Sequence, residues 1–206
     1  GLGDVYKRQA DGRHFGAVKA FGKAKHFAAG TIMSTTVNLG TQSQTRTVSV
    51  DFTSTETYPD TFPMSYDAEP STNTHVFDGL EFKFDCPGSY YQGGTSGNKR
   101  LIINDISQKA PARIHLPAIK GYAPTKIIVH NAESSQDILI SVTDKKGNML
   151  DNTKDMTAYK QQNIYEPTGT NDTDTYCVYI TCRQTNTGKT YRLQSLDITY
   201  TPYQAN

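Results

Sequence analysis

Tryptophan is absent from the 206 residues, and only three residues are cysteine. The sequence also has no long apolar run and almost no net charge. Three cysteines are an odd number, which argues against a disulfide framework. No apolar run approaches the roughly 20 residues that a membrane-spanning helix needs. The formal net charge is +1, which gives no electrostatic case for binding nucleic acid or an anionic membrane surface. The composition therefore argues against a disulfide-rich scaffold, a helical membrane span and a nucleic-acid-binding protein.

Catalytic and metal-binding motifs are lacking as well. The chain contains no GxSxG nucleophile elbow, no P-loop and no HExxH metalloprotease motif. Carboxylates are scattered, without a pair that their spacing places together for glycoside hydrolysis. No CxxC or HxH cluster indicates a transition metal. The sequence therefore predicts a protein that is not an enzyme and has no cofactor.

Alternation of apolar and polar residues is the strongest positive signal. Apolar residues occupy every second position in Ala112–Leu116, Leu80–Asp85 and Ser195–Thr201, which is the period of a half-buried strand. Turn residues separate about eight or nine such segments, and no convincing helix follows residue 30. We predict an all-β fold, an antiparallel two-sheet β-sandwich of the jelly-roll type.

The alternation also predicts the core. The residues expected to point inward are Leu80, Phe82, Phe84, Ile114, Leu116, Ile127, Val129, Ile138, Ile140, Val142, Val178, Ile180, Leu196 and Ile198.

The first thirty residues differ from the rest. Asp4–Gln9 (DVYKRQ) match the translation of an end sequence used in transposon-based DNA library preparation. We therefore expect residues 1–9 to be adapter-derived, to pack against nothing and to stand where native chain is missing. Residues 10–30 are basic and rich in glycine, and they predict a linker or tail, with a membrane-binding amphipathic helix as the alternative. The predicted β-sandwich domain spans residues 31–203.

Candidate ligand-binding residues lie on the polar sides of predicted strands and in one loop. Arg113 and His115 share one strand, and Lys126 and His130 share the next; if these strands are neighbours, the four form a basic, hydrogen-bonding patch. The adjacent Tyr90 and Tyr91 lie in a glycine-rich segment predicted to be a loop, where they are candidates for stacking on sugar rings. An ordinary solvated sheet face and packed tyrosines are the alternatives.

Two further features leave alternatives open. Asn171, Asp172 and Asp174 offer oxygen ligands suited to structural calcium, although residues of these types also form turns. Cys177 and Cys182 lie five residues apart in one predicted strand, so they should point to opposite faces. Whether Cys86 pairs with either of them is open.

Several segments together resemble a known family. They are DFTS (Asp51–Ser54), TFP (Thr61–Pro63), FDGLEFKF (Phe77–Phe84), RIHLPAIKGYAPTKIIVHN (Arg113–Asn131) and YRLQSLDITYTP (Tyr191–Pro202). From Thr31 to Tyr203 the chain resembles galactose-binding-like jelly-roll domains of surface and secreted lipoproteins of Bacteroidetes, which are similar to carbohydrate-binding modules. The absence of tryptophan departs from the many modules of that kind that stack sugars on indole rings.

The resemblance implies a function and a location. It implies non-catalytic binding of an extracellular glycan by part of a longer protein on the surface of a bacterium or secreted from it; the adapter-like start is typical of a metagenomic source. One alternative is a structural or adhesive spacer domain without a small ligand. Another is a jelly-roll polysaccharide lyase, in which Arg113, His115 and a tyrosine would act.

Overall fold

The computed structural model describes residues 8–10, 13–15, 44–95, 98–132, 135–150, 156–158 and 161–203. The chain divides into two units, Gly1–Gln42 and Ser43–Asn206, so the division lies beyond the predicted boundary at residue 30. In the first unit, strands β1 (Arg8–Ala10) and β2 (Arg13–Phe15) pair antiparallel. The prediction that residues 1–9 pack against nothing is therefore wrong for Arg8 and Gln9. The other residues of that segment lie outside the described residues.

The second unit is built from strands. Its strands are β3 (Arg46–Asp51), β4 (Thr74–Phe77), β5 (Leu80–Asp85), β6 (Tyr90–Gly93), β7 (Arg100–Ile106), β8 (Ala112–His115), β9 (Tyr122–Asn131), β10 (Ile138–Asp144), β11 (Met156–Thr157), β12 (Gln162–Tyr165), β13 (Tyr176–Cys182) and β14 (Lys189–Pro202). In the part of the chain that the structure describes, the single helical segment is the short 3-10 turn Thr55–Thr57. No helix in that part is long and apolar enough to cross a membrane.

These strands form two antiparallel sheets. One has six strands in the order β11-β10-β13-β8-β5-β4, and the other has the order β12-β9-β14-β7-β6, with β3 paired to β14 beside the end of β7. From β7 to β14, every connection except β10–β11 crosses from one sheet to the other. A jelly roll alternates between its two sheets in this way. The predicted all-β, two-sheet sandwich is confirmed.

The two sheets enclose one apolar core. Of the residues predicted to point inward, all but Leu80 are buried, and Leu80 packs against the core with part of its surface exposed. Cys182 belongs to this core, whereas Cys177 lies on the other side of β13. The prediction that these two cysteines point to opposite faces is confirmed, and all three cysteines are free thiols.

A corner at residues 117–121 carries the chain from one sheet to the other. Gly121 has a φ of +77°, a left-handed conformation that glycine adopts without strain. Its amide donates to Asp172 Oδ2 (2.9 Å), and the Tyr200 hydroxyl donates to the carbonyl of Pro117 (2.8 Å). The strand after the corner begins at Tyr122, so Pro124 lies within β9.

A buried histidine lies between the sheets and makes the stability of the fold sensitive to acid. The Tyr90 hydroxyl donates to the carbonyl of Thr72 (3.3 Å), so it accepts from His75 Nε2 (2.8 Å). His75 Nδ1 then accepts from the Thr61 hydroxyl (3.0 Å). Burial lowers the pKa of His75 from 6.5, so the ring is neutral in the folded protein at neutral pH.

We expect the free energy of unfolding to fall as the pH drops from about 7 to about 5. A histidine with a lowered folded pKa takes up its proton more readily in the unfolded chain, so acid favours unfolding in this window. Urea denaturation at a series of pH values in the wild type and in His75→Gln measures the effect. The variant should show a flatter pH dependence, since all other histidines are shared; identical slopes would contradict the prediction.

Candidate functional site

The outer face of the six-stranded sheet carries a polar surface built from β5, β8, β10 and β13. The apolar residues of these strands point inward into the core, and the residues between them point outward. We call the outward set the polar face. It comprises Lys83, Asp85, Arg113, His115 and Tyr179, which are at least partly exposed, and Ser141, Thr143 and Cys177, which are buried.

The strand register aligns the polar face in two rows that run across the sheet. The first row is Lys83, His115, Cys177 and Thr143. The second row is Asp85, Arg113, Tyr179 and Ser141. Directly opposed residues have Cβ atoms about 4.5–5.5 Å apart, so each row brings its side chains within reach of one another. Arg113 and His115, the predicted pair on β8, therefore lie beside residues of strands that are distant from β8 in the sequence.

His115 is held between an acid and a thiol. Its Nε2 lies 2.7 Å from Asp85 Oδ2, and its Nδ1 lies 3.2 Å from Cys177 Sγ. Burial would raise the pKa of Asp85, but hydrogen bonds from Lys83 and His115 and the charges of the same groups hold that pKa below its usual range. The ionised carboxylate only accepts, so Nε2 carries a proton. In the neutral ring, Nδ1 then accepts from the Cys177 thiol.

The row of thiol, imidazole and carboxylate has the order of a nucleophilic triad but not its accessibility. Cys177 is fully buried, and burial raises the pKa of its thiol to about 12. A thiol that stays protonated and buried is a poor nucleophile. Both ring nitrogens of His115 are also engaged, so neither is free to contact a ligand. Cys177 and Asp85 thus orient His115, and this part of the polar face is structural.

Arg113 is the most available hydrogen-bonding group of the polar face. It is half-buried, and its guanidinium carbon lies 5.1 Å from the centroid of the Tyr179 ring. This is a cation–π contact, in which the positive charge rests on the electron-rich ring face. Among the described residues, no hydrogen bond or ion pair engages the guanidinium. Its planar donors are free for an external acceptor.

Two open clefts include residues of the polar face in their linings. One, of about 620 Å³, is lined by Arg113, Asp85 and Glu69 among others. The other, of about 720 Å³, has Lys83 and His115 in its lining. Arg113 and His115 are two residues apart on β8, so each cleft is bordered by one of the two residues predicted on that strand.

The structure corrects the prediction for Tyr90. Tyr90 is in β6 and points into the core, where it is 5% exposed. Its ring stacks on Phe84 with centroids 5.3 Å apart and an angle of 14° between planes. The predicted glycine-rich loop is a strand at this point, so one of its two tyrosines must face inward. Most of the Tyr90 ring is therefore packed in the core, and what remains exposed borders the cleft that Arg113 also lines.

The predicted patch of four basic residues does not form. Lys126 and His130 lie on β9, which belongs to the sheet that contains β14, and their strand neighbours Ile127 and Val129 are buried in the core. They consequently point away from the sandwich on the side opposite the polar face. His130 Nε2 also lies 2.8 Å from Asp197 Oδ2. The strands that carry the two pairs are consecutive in sequence but lie in different sheets.

Tyr91 points outward from the sheet that contains β14 and is partly exposed. Its ring meets that of Tyr66 edge to face, with centroids 5.9 Å apart. Tyr66 is 62% exposed, so the two rings form an aromatic pair on the surface. Tyr91 and Arg113 lie on opposite sides of the sandwich and cannot line one site.

The oxygens proposed for calcium mostly make turn contacts. Asn171 Oδ1 accepts from the backbone amides of Thr173 (2.9 Å) and Asp174 (2.8 Å), and Asn171 Nδ2 donates to Asp174 Oδ2 (2.8 Å). Asp172 Oδ2 accepts from Gly121 at the corner described above. Within the described ranges, no group of three or more His, Cys, Asp or Glu side chains could hold a metal ion. The calcium site stays a prediction, and the turn accounts for these residues.

Sequence reasoning missed Lys83, Asp85 and Tyr179 as members of the polar face. The period-two pattern of Tyr176–Cys182 does place Tyr179 on the side opposite Val178 and Ile180. It gives no sign that β13 lies beside β8, because that pairing joins segments more than sixty residues apart.

No protein-family model matches the chain, and no curated protein matches it. Among solved structures, the chain is similar to a carbohydrate-binding module, CBM28, described as specific for non-crystalline cellulose. The match has 8% sequence identity and a TM-score of 0.31 and covers 70% of this chain and 97% of that one. The two-sheet architecture described above follows from the strand pairing of this chain, independently of that match.

Proposed function

We propose that the protein is a non-catalytic carbohydrate-binding module that contacts an extracellular glycan through the polar face. The observation that carries the proposal is the guanidinium of Arg113, which lines one of the clefts, stacks on Tyr179 and has no hydrogen bond or ion pair with any described residue. Sugar recognition needs fixed donors for hydroxyl groups and an apolar ring against which a pyranose can pack. Arg113 supplies the donors, and Tyr179 holds the guanidinium in place although it lines neither cleft. The site is open, so a binding free energy of about −4 to −6 kcal/mol is expected.

Replacing Arg113 with Ala should weaken binding by about 1–2 kcal/mol and leave folding intact. The side chain donates to the ligand without holding the sheet together, since no described residue accepts a hydrogen bond from it. Isothermal titration with a panel of polysaccharides measures the affinity. Lys126→Ala is the matched control, because it removes one cation from the opposite face and should leave binding unchanged.

Tyr91 provides the test of where the site lies. The aromatic pair of Tyr66 and Tyr91 is another exposed surface on which a sugar could stack. Tyr91→Ala should leave the affinity unchanged if the polar face binds the glycan. A loss with Tyr91→Ala and none with Arg113→Ala would move the site to the sheet that contains β14.

A polysaccharide lyase is the second candidate function. The polar face brings Arg113, His115 and Tyr179 together in adjacent rows, and these are the three residue types that a lyase of this kind would use. The engagement of both His115 nitrogens argues against its acting as a base. Incubation with acidic polysaccharides separates the two functions, because elimination creates unsaturated sugar ends that absorb ultraviolet light. A spacer domain would give neither binding nor absorbance.

The cellular context is part of the same proposal. The sequence segments that resemble lipoprotein domains of Bacteroidetes support placement in a longer protein at a bacterial surface or in a secreted protein. Sequencing the source DNA upstream of this reading frame tests it. An export signal or lipid-anchor cysteine is expected there, and an intact reading frame without either would contradict it.

A further inference from the structure

We infer that the glycan is acidic and that Arg113 receives the carboxylate of a uronic acid residue. The inference rests on the proposed function and adds the chemical class of the ligand. It follows from how charges are paired on the polar face.

Arg113 has no ion pair with the described acid that lies opposite it in the strand register. Asp85 lies directly opposite Arg113 in the register of β5 and β8, so it is the natural acid for an ion pair. Asp85 Oδ2 instead lies 2.7 Å from His115 Nε2, and Oδ1 lies 3.0 Å from Lys83 Nζ and accepts from Asn73 Nδ2 at 3.1 Å. Both oxygens are engaged by other groups, and no acid of the described residues pairs with the guanidinium.

The position of the guanidinium is set before a ligand arrives. Contact with the Tyr179 ring restricts where the guanidinium can lie, and half-burial reduces its contact with water. An arginine fork matches the two oxygens of a carboxylate and forms two parallel hydrogen bonds with it. A neutral sugar would offer hydroxyl groups but leave the charge unpaired. A uronate would pair it.

Two acids line the same cleft as Arg113. Asp85 is paired with Lys83 and His115, whereas Glu69 opposes this preference and gives a directional test. Glu69 lines the same cleft as Arg113 and is exposed, so it faces an incoming anion with like charge. Its repulsion is screened by solvent and salt. Glu69→Gln should therefore strengthen binding of an acidic polymer at low salt and leave the binding of a neutral polymer unchanged.

The main experiment compares one polymer in two forms. Each of several uronate polymers, polygalacturonate and alginate among them, is titrated into the full chain before and after chemical reduction of its carboxyl groups. Loss of the carboxylate should weaken binding roughly ten- to hundredfold, the range for a lost hydrogen bond between charged groups. Arg113→Ala should reduce binding of the acidic form to that of the reduced form. Arg113→Lys keeps the charge but loses the fork, and should restore only part of the affinity.

The outcomes separate this inference from the proposed function. Equal binding of native and reduced polymers, or binding of neutral glycans alone, would overturn the acidic ligand and leave carbohydrate binding standing. No binding to any acidic or neutral polymer would overturn both. Full affinity in Arg113→Lys would show that a point charge suffices, and would overturn the bidentate contact. Lys126→Ala again serves as the control for a general loss of positive charge.

Discussion

Replacing Phe62 with Ala should lower the free energy of unfolding by about 3–5 kcal/mol. Phe62 lies in a polar, proline-containing connection but is only 3% exposed. Its ring contacts those of Tyr58 (4.8 Å), Phe84 (5.5 Å) and Tyr90 (5.5 Å), measured between centroids. Removing it leaves a cavity among rigid aromatic rings that cannot collapse to fill the space. Urea denaturation followed by circular dichroism measures the loss.

The same connection supplies the control. Tyr66 is four residues further along and 62% exposed, so Tyr66→Ala should change the free energy of unfolding by no more than about 0.5 kcal/mol. Equal losses in the two variants would show that the connection as a whole, and not the buried ring, stabilises the fold. A negligible effect of Phe62→Ala would contradict its placement in the core.

Phe82→Ala should also destabilise the protein by about 3–5 kcal/mol. Phe82 is at the centre of β5, is fully buried and meets Phe77 edge to face with centroids 5.8 Å apart. The variant loses this contact and opens a cavity between the sheets. Denaturation with urea again gives the change in free energy of unfolding.

Glu81 is the matched control for Phe82. It precedes Phe82 in β5, and its side chain is exposed. Glu81→Ala should therefore be neutral within about 0.5 kcal/mol. If both variants lost stability to the same extent, the inward and outward faces of β5 would have been assigned incorrectly.

The burial of Phe82 can be predicted from the sequence pattern around it, whereas the burial of Phe62 cannot. The alternation in Leu80–Asp85 predicts the burial of Phe82, because side chains in a strand point to opposite faces in turn. Phe62 has no such pattern around it. Its burial depends on how the connection folds over the edge of the sandwich, where the amide of Gln92 donates to the carbonyl of Pro63 (2.9 Å).

The sequence by itself determined the all-β class and, for the strands with alternating residues, the face that is buried; it did not determine every strand position, since β6 was predicted to be a loop. These properties are local, because a period of two residues fixes which side chains share a face. The pattern in Ala112–His115 was enough to place Arg113 and His115 outward.

Only the tertiary structure decided which outward residues meet. The corner at residues 117–121 sends β8 and β9 to different sheets, which separates Arg113 and His115 from Lys126 and His130. Pairing of β8 with β5 and β13 brings Asp85, Cys177 and Tyr179 to the same face instead. A strand's period of two specifies its faces but not its neighbours. Those neighbours are set by long-range packing of the whole apolar core, which no local stretch of sequence contains.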